Sequence, residues 1–98
     1  MFKRQNQTLS FPNQSRSFDE ANDRIRFWAY DGAIEVSLFV ECDAIRHLSK
    51  TMPSTKDQLL AGFDSSRQLL HDAAERVYRL SPRGIYACTL STDDIRAR

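Results

Sequence analysis

The sequence of 98 residues contains few of the residues from which enzyme motifs are built. It has three glycines, and none of them belongs to a GxGxxG segment or precedes the Lys-Ser/Thr pair of a phosphate-binding loop. GxSxG and HExxH segments are also absent. We therefore predict a protein that is not an enzyme and that binds no cofactor.

Cysteine is scarce as well, since the chain has only Cys42 and Cys88 and no CxxC pair. Such cysteines are typically buried thiols, and we expect no disulfide. A zinc site made of Cys42, His47, His71 and Cys88 is disfavoured because no two of these residues have the spacing of a zinc finger. Cys42 and His47 would also point about 140° apart on one helix, which argues against a cysteine nucleophile with a histidine base.

Long apolar runs and an excess of one charge are missing too. No apolar run exceeds the four residues of Phe27 to Tyr30, whereas a membrane span needs about 20. Residues 1–10 contain two basic residues but no apolar core, so they do not resemble a secretory signal, and we expect a cytoplasmic protein. Fourteen basic against 13 acidic residues leave no global field for nucleic acid or for an anionic membrane.

The hydrophobic periodicity predicts one domain over residues 1–98, of which residues 1–7 form a loose polar tail. The elements that we predict are a strand at 8–12, a hairpin over 23–41, a short helix at 41–49, a long helix from Thr55 to about Leu80, and a last strand at 85–90. This pattern predicts an α+β fold in the order β-β-β-α-α-β, with one long and one short helix on a mainly antiparallel sheet of about four strands. Parallel pairing of the last strand stays open because a helical crossover precedes it.

Local signals add detail to this outline. Thr55 and Gln58 have capping-box spacing after Pro53, and Ser91 and Asp94 repeat that spacing near the end of the chain. Gly62 lies inside the predicted long helix, where it could bend the helix. The polar segment 13–23 reads as a turn region, with its single phenylalanine expected to contact the core.

The hairpin has the most specific turn signal in the chain. Asp31-Gly32 fits the two central residues of a type I′ turn. That turn predicts three apolar cross-strand pairs on one face: Ala29 with Ile34, Phe27 with Val36, and Ile25 with Leu38. The other face would then carry Arg24, Arg26, Trp28 and Tyr30 opposite Phe39, Ser37, Glu35 and Ala33.

The order of four segments resembles a known family of small bacterial proteins. The segments are LSFPNQSRSFD, RIRFWAYDG, VSLFVECDAI and YACTLSTDDI. Together with the long helix they resemble domain of unknown function family 1488 over about residues 8–95. The resemblance implies a compact α+β bacterial protein. It implies no activity and no functional residue.

The face that carries Arg24, Arg26, Trp28, Tyr30 and Phe39 is the candidate site. We predict that it binds a protein partner or a second copy of the chain, with the aromatic side chains as apolar anchors and the arginines as a charged rim. The alternative is binding of RNA or DNA, because aromatic and basic side chains on an open sheet can stack bases and hold phosphates. A third possibility is that the short helix or the N-terminal segment covers this face, so that the aromatic side chains are core.

A carboxylate bears on the choice between these alternatives. In the predicted register Glu35 lies opposite Trp28 and diagonal to Arg26, so it would neutralise one arginine. Together with the balanced net charge, this favours a protein partner over nucleic acid.

Overall fold

The fold is built on a hairpin in which every second residue is apolar and buried. A computed structural model describes residues 9–49 and 52–96 of the chain. The strands and helices in chain order are β1 Arg16–Asp19, β2 Arg24–Asp31, β3 Ile34–Glu41, α1 Cys42–Leu48, α2 Lys56–Ser65, α3 Arg67–Leu80, β4 Ala87–Leu90 and α4 Thr92–Arg96. The predicted tail at residues 1–7 lies outside the described residues.

The four strands form one sheet in the order β1-β2-β3-β4. β2 pairs antiparallel with β1 and with β3, and β4 pairs parallel with β3. The α+β class and the four-stranded sheet are therefore confirmed. β4 runs parallel to β3 because α1, α2 and α3 carry the chain back to the end of the sheet at which β3 begins.

The predicted hairpin register is wrong by two residues. Asp31 pairs with Ile34, so the loop consists of Gly32 and Ala33. Of these two residues only Gly32 has a positive φ, +64°. A type II′ turn requires a positive φ at its first central residue, which is usually glycine. The shift replaces the predicted pairs with Ala29–Val36, Phe27–Leu38 and Ile25–Val40. Because it is an even number of residues, each side chain stays on its predicted face.

The first strand also lies elsewhere than predicted. Within the described part of the predicted strand at 8–12, Ser10 forms only an isolated bridge to Tyr30, with both backbone N–H···O=C distances at 2.9 Å. β1 instead occupies Arg16–Asp19, where the polar composition predicted a turn. A tight 3-10 turn at Glu20–Asn22 joins β1 to β2 and sets this pairing. Phe18 packs against the core, as expected.

The predicted long helix is two helices. It is interrupted at Ser66, which has φ −110° and ψ 15° and separates α2 from α3. The interruption is not at Gly62, which has a packing role. A Cβ atom at Gly62 would lie 2.9 Å from Cγ2 of Ile45, so the glycine lets α2 approach α1 closely. The capping box of Thr55 and Gln58 is confirmed, and α4 begins at Thr92, next to Ser91.

One hydrophobic core joins the inner face of the sheet to the helices. Its buried side chains are Leu9, Ile25, Phe27, Ala29, Val36, Leu38, Val40, Cys42, Ala44, Ile45, Leu59, Phe63, Leu70, Ala73, Ala74, Cys88, Leu90 and Ile95. Both cysteines are free, buried thiols, as the sequence predicted. In the described ranges, no helix combines the length and the hydropathy needed to cross a membrane.

Candidate protein-binding face

The site predicted from the sequence lies on the outer side of the sheet. We call this surface the open face. Its residues on β2 and β3 are Arg24, Arg26, Trp28, Tyr30, Glu35, Ser37 and Phe39. They alternate with inward residues such as Ile25 and Phe27, which are at most 1% exposed.

Trp28, Tyr30 and Phe39 are all partly exposed, and none of them is among the partly buried side chains that pack against the core. Among the residues that the structure describes, the helices contribute their buried side chains to the other side of the sheet. The possibility that the short helix covers these aromatic side chains is therefore wrong. In the N-terminal segment, Leu9 lies in the core and Phe11 packs against it on the other side of the sheet, and residues 1–8 lie outside the described residues. All five predicted site residues share one surface.

Arg24 is held over the ring of Phe39. Its Nε donates a hydrogen bond of 2.9 Å to Oδ2 of Asp19, and its Cζ lies 3.7 Å from the centroid of the Phe39 ring. The hydrogen bond from Arg24 lowers the pKa of Asp19, and a second bond from Asn22 adds to that effect. The carboxylate on β1 thus fixes the guanidinium in a cation–π contact on β3.

Arg26 makes the same kind of contact with Trp28. Its Cζ lies 4.7 Å from the centroid of the Trp28 ring. Its Nη2 donates to Oγ of Ser37 at 3.2 Å and lies 3.6 Å from Oε2 of Glu35. The Nε atom of Arg26 is buried without a hydrogen-bond partner among the described residues, so part of this guanidinium is already desolvated.

The observed register moves Glu35 from its predicted place opposite Trp28 to a place opposite Tyr30. Glu35 nevertheless remains within reach of Arg26, as predicted. The sequence did not identify Asp19 as part of the site because β1 was predicted at residues 8–12. The spacing of Asp19 and Arg24 across a tight turn was the signal that could have found it.

The arrangement has a clear chemical consequence. Each arginine of the open face is paired with a carboxylate, and each lies over an aromatic ring. The ring faces are therefore in contact with guanidinium groups of the same molecule, and the positive charges are compensated.

The other candidate residues do not form a site. Burial raises the pKa of the Cys42 thiol to about 12, and the nearby carboxylate of Asp23 acts in the same direction. Cys42 is therefore held as a thiol, whereas nucleophiles and metal ligands are thiolates. Within residues 9–49 and 52–96, no group of three or more histidine, cysteine and acidic side chains is placed to hold a metal ion.

The basic residues near the end of α3 serve the fold. Arg79 lies 3.5 Å from a carboxylate oxygen of Glu75, and Arg76 donates to the backbone carbonyl of Asp94 at the start of α4. Arg79 thus forms an ion pair within α3, and Arg76 connects α3 to α4. Arg79 also lines a shallow pocket with Arg83 and Tyr78, whereas Arg76 is directed at α4.

Comparison with known proteins gives a family and a fold. A family described as "Protein of unknown function (DUF1488)" matches residues 9–87. A crystal structure of a protein of unknown function from the same family, from Shewanella loihica, matches with a TM-score of 0.71 and 19% identity. The match covers 87% of this chain and 96% of that one, and it supports the same fold. None of the curated proteins matches the sequence.

Proposed function

Because the chain belongs to the DUF1488 family, whose description names no activity, we propose its function from the open face: the protein is a cytoplasmic, non-enzymatic module that binds a protein partner. Trp28, Tyr30 and Phe39 are the apolar anchors, and Arg24 and Arg26 form the charged rim. The observation that supports this proposal is the fixed stacking of two arginines on two of the three aromatic rings.

Fixed side chains favour association because less conformational entropy is lost when the partner binds. Immobilising a flexible side chain at an interface costs about 0.5–1.5 kcal/mol. Arg24 and Arg26 are already held by a carboxylate on one side and by a ring on the other. Tryptophan, tyrosine and arginine are also the residue types that dominate protein–protein hot spots.

Nucleic-acid binding by the same face is the second candidate, and the charges weigh against it. Asp19 and Glu35 compensate the two arginines. A phosphate backbone would have to displace these carboxylates. Nucleic-acid binding would also weaken steeply as the salt concentration rises, whereas an aromatic interface would respond little.

Site-specific photocrosslinking in cells tests the proposal. A benzophenone amino acid placed at Ala33, the exposed loop residue beside the open face, should give one discrete protein adduct, and Arg26→Ala in the same chain should reduce its yield. Leu80, which is 81% exposed and lies at the end of α3, is the matched control position and should give no adduct of that size. Equal adducts from both positions, or none from position 33, would contradict the proposal.

A second measurement separates the two candidates. Trp28 is the only tryptophan, so its emission and its quenching by acrylamide report directly on the open face. For the free protein we expect a partly quenchable signal, since the side chain is partly exposed. A blue shift on addition of single-stranded RNA or duplex DNA, abolished by salt, would support nucleic-acid binding instead.

A further inference from the structure

Among residues 9–49 and 52–96, no strand pairs with the outer edge of β4. The N–H of Ser37 donates to the carbonyl of Tyr86 at 2.9 Å, and Ser37 is in register with Ala87. In a parallel ladder this places the backbone groups of residues 86 and 88 toward β3. The N–H and C=O groups of Ala87 and Thr89 then point away from the sheet, and both residues are exposed.

The two edges of the sheet differ in how they are protected. Proteins usually guard an edge strand with charged residues or proline, because an open edge can pair with another chain. β1 carries Arg16 and Asp19 at one edge. The segment from Ile85 to Leu90 carries neither charge nor proline, and Ile85 and Tyr86 are 44% and 43% exposed. β4 is therefore the edge suited to strand pairing.

A second copy of the chain fits this edge. In an antiparallel pair of two β4 strands, one register lets Ala87 of each copy exchange both backbone hydrogen bonds with Thr89 of the other. A two-fold axis then passes beside Cys88. The same register places the half-exposed Tyr86 of each copy at the seam between the two strands, on the helical side of the sheet.

Charges beyond the strand match the same register. Beyond the strand, this register leaves the turn that carries Arg83 facing the end of the partner's β4, after which α4 and Asp93 begin. Both side chains belong to exposed residues, and neither forms an ion pair within the described parts of one chain. Two-fold symmetry creates this opposite-charge contact twice.

We propose that the protein forms a symmetric homodimer by antiparallel pairing of its two β4 strands, which joins the two sheets into one of eight strands. The open faces of both copies then lie side by side on one continuous surface. The inference is independent of the proposed function because it uses the edge of the sheet and not its face. β4 has four residues, and a standard interface buries about 800 Å² on each partner. We therefore expect the dimer to dissociate on dilution.

Sedimentation velocity over a range of protein concentrations tests the dimer. We expect a species of twice the 11.3 kDa chain mass at high concentration. Thr89→Pro removes an outward N–H that makes no hydrogen bond to any residue that the structure describes, so the variant should stay folded by circular dichroism and sediment as a monomer. Thr89→Val keeps the N–H and should still dimerise. A wild-type chain that is monomeric at every concentration, or a dimeric Thr89→Pro variant, would overturn the proposal.

Reversed charges test the register with exposed residues only, so the test does not depend on the stability of the proline variant. Arg83→Asp alone and Asp93→Arg alone each create two like-charge contacts in a homodimer and should weaken it about tenfold. A mixture of these two variants restores opposite charges at both contacts and should dimerise as the wild type does. If the mixture fails to dimerise, this pairing is excluded. Trp28→Ala, which changes the open face and not the edge, should leave the dimer intact.

Discussion

Tyr78 donates a hydrogen bond of 2.7 Å from its phenol to Oδ2 of Asp31. The bond joins α3 to the end of β2 beside the hairpin loop, two segments that are 47 residues apart in the chain. It is therefore a tertiary contact that fixes the angle of the helix against the sheet. The hydrogen bond to the carboxylate is the main reason that the pKa of Tyr78 is raised to about 12, with burial second.

Removing this phenol should destabilise the protein. We expect Tyr78→Phe to lower the free energy of unfolding by about 1 kcal/mol, because the acceptor is charged but the site is partly exposed to solvent. Urea unfolding measures the loss. Tyr86→Phe removes a half-exposed phenol for which the structure shows no hydrogen bond and is the matched control. Equal stability of the two variants would show that the contact contributes nothing.

The same bond has a pH dependence with a defined sign. The pKa of Tyr78 is higher in the folded protein than its ordinary value of 10.0, so the folded state holds this proton more tightly. The stabilisation is complete below that ordinary value and is lost as the pH rises toward about 12. An absorbance titration should show a tyrosine ionisation near pH 12 that Tyr78→Phe removes. An unchanged titration curve for this variant would contradict the expectation.

His71 should make stability depend on pH in the opposite direction. Its ring stacks on Phe11 with a centroid distance of 3.8 Å and an interplanar angle of 7°. Burial lowers its pKa, the charge of Arg67 acts in the same direction, and Asp72 opposes them. The unfolded chain therefore binds this proton more readily than the folded chain.

It follows that stability falls as the pH drops through the ordinary histidine value of 6.5. We expect His71→Phe to remove this part of the pH dependence in thermal melts between about pH 7.5 and about pH 5.5. His47→Gln, at an exposed position of α1, is the matched control for the loss of an imidazole. The low pKa values of Asp19 and Asp64 act at lower pH and do not confound this window. Identical profiles for the wild type and His71→Phe would exclude the effect.

Gly62→Ala should destabilise the protein although alanine favours helices. The new Cβ would lie 2.9 Å from Cγ2 of Ile45, a side chain that is completely buried. Overpacking of this kind costs about 1–3 kcal/mol, which exceeds the helix propensity that alanine gains. Chemical denaturation shows whether Gly62→Ala lowers or raises the free energy of unfolding. Ala61→Gly at the exposed neighbouring position reports the propensity alone, and a stabilised Gly62→Ala would show that α1 and α2 are not in close contact.

Replacing Thr55, the N-cap residue of α2, should lower the stability of the protein. Its Oγ1 accepts a hydrogen bond of 3.2 Å from the backbone N–H of Gln58, and the Gln58 side chain accepts in return from the N–H of Thr55. We expect Thr55→Ala to cost about 1 kcal/mol and Thr55→Ser to cost less, because serine keeps the acceptor oxygen. Equal losses in both variants would indicate that the methyl group, and not the cap, is responsible.

The sequence predicted features that depend on local chemistry. Alternation in β2 and β3 assigned Trp28 and Phe27 to opposite faces, and hydroxyl and amide side chains at the right spacing located the start of α2. It could not predict features set by tertiary contacts. The position of β1 depends on pairing with β2, and the break at Ser66 depends on two helices packing against different parts of the core.

The candidate site was predicted on the same basis. Period-two alternation placed Arg24, Arg26, Trp28, Tyr30 and Phe39 together, and the structure brings all five to one surface. It did not reveal that each arginine lies over an aromatic ring, because that depends on side-chain conformations that Asp19 and Glu35 help to fix. In the predicted register Phe39 faced Arg24, whereas in the structure Phe39 is directly opposite Arg26 and is covered by Arg24 from the neighbouring position.

The parallel pairing of β4 with β3 determines the order in which the protein can fold. β2 and β3 are joined by a loop of two residues, and their pairing is local. α1, α2 and α3 separate β4 from β3 in the chain, so this pairing closes a long loop, and we expect it to form after the hairpin. Until then β3, an interior strand of the finished sheet, is an edge that can pair with other molecules. Folding from dilute solution should therefore give less aggregation than folding at high concentration.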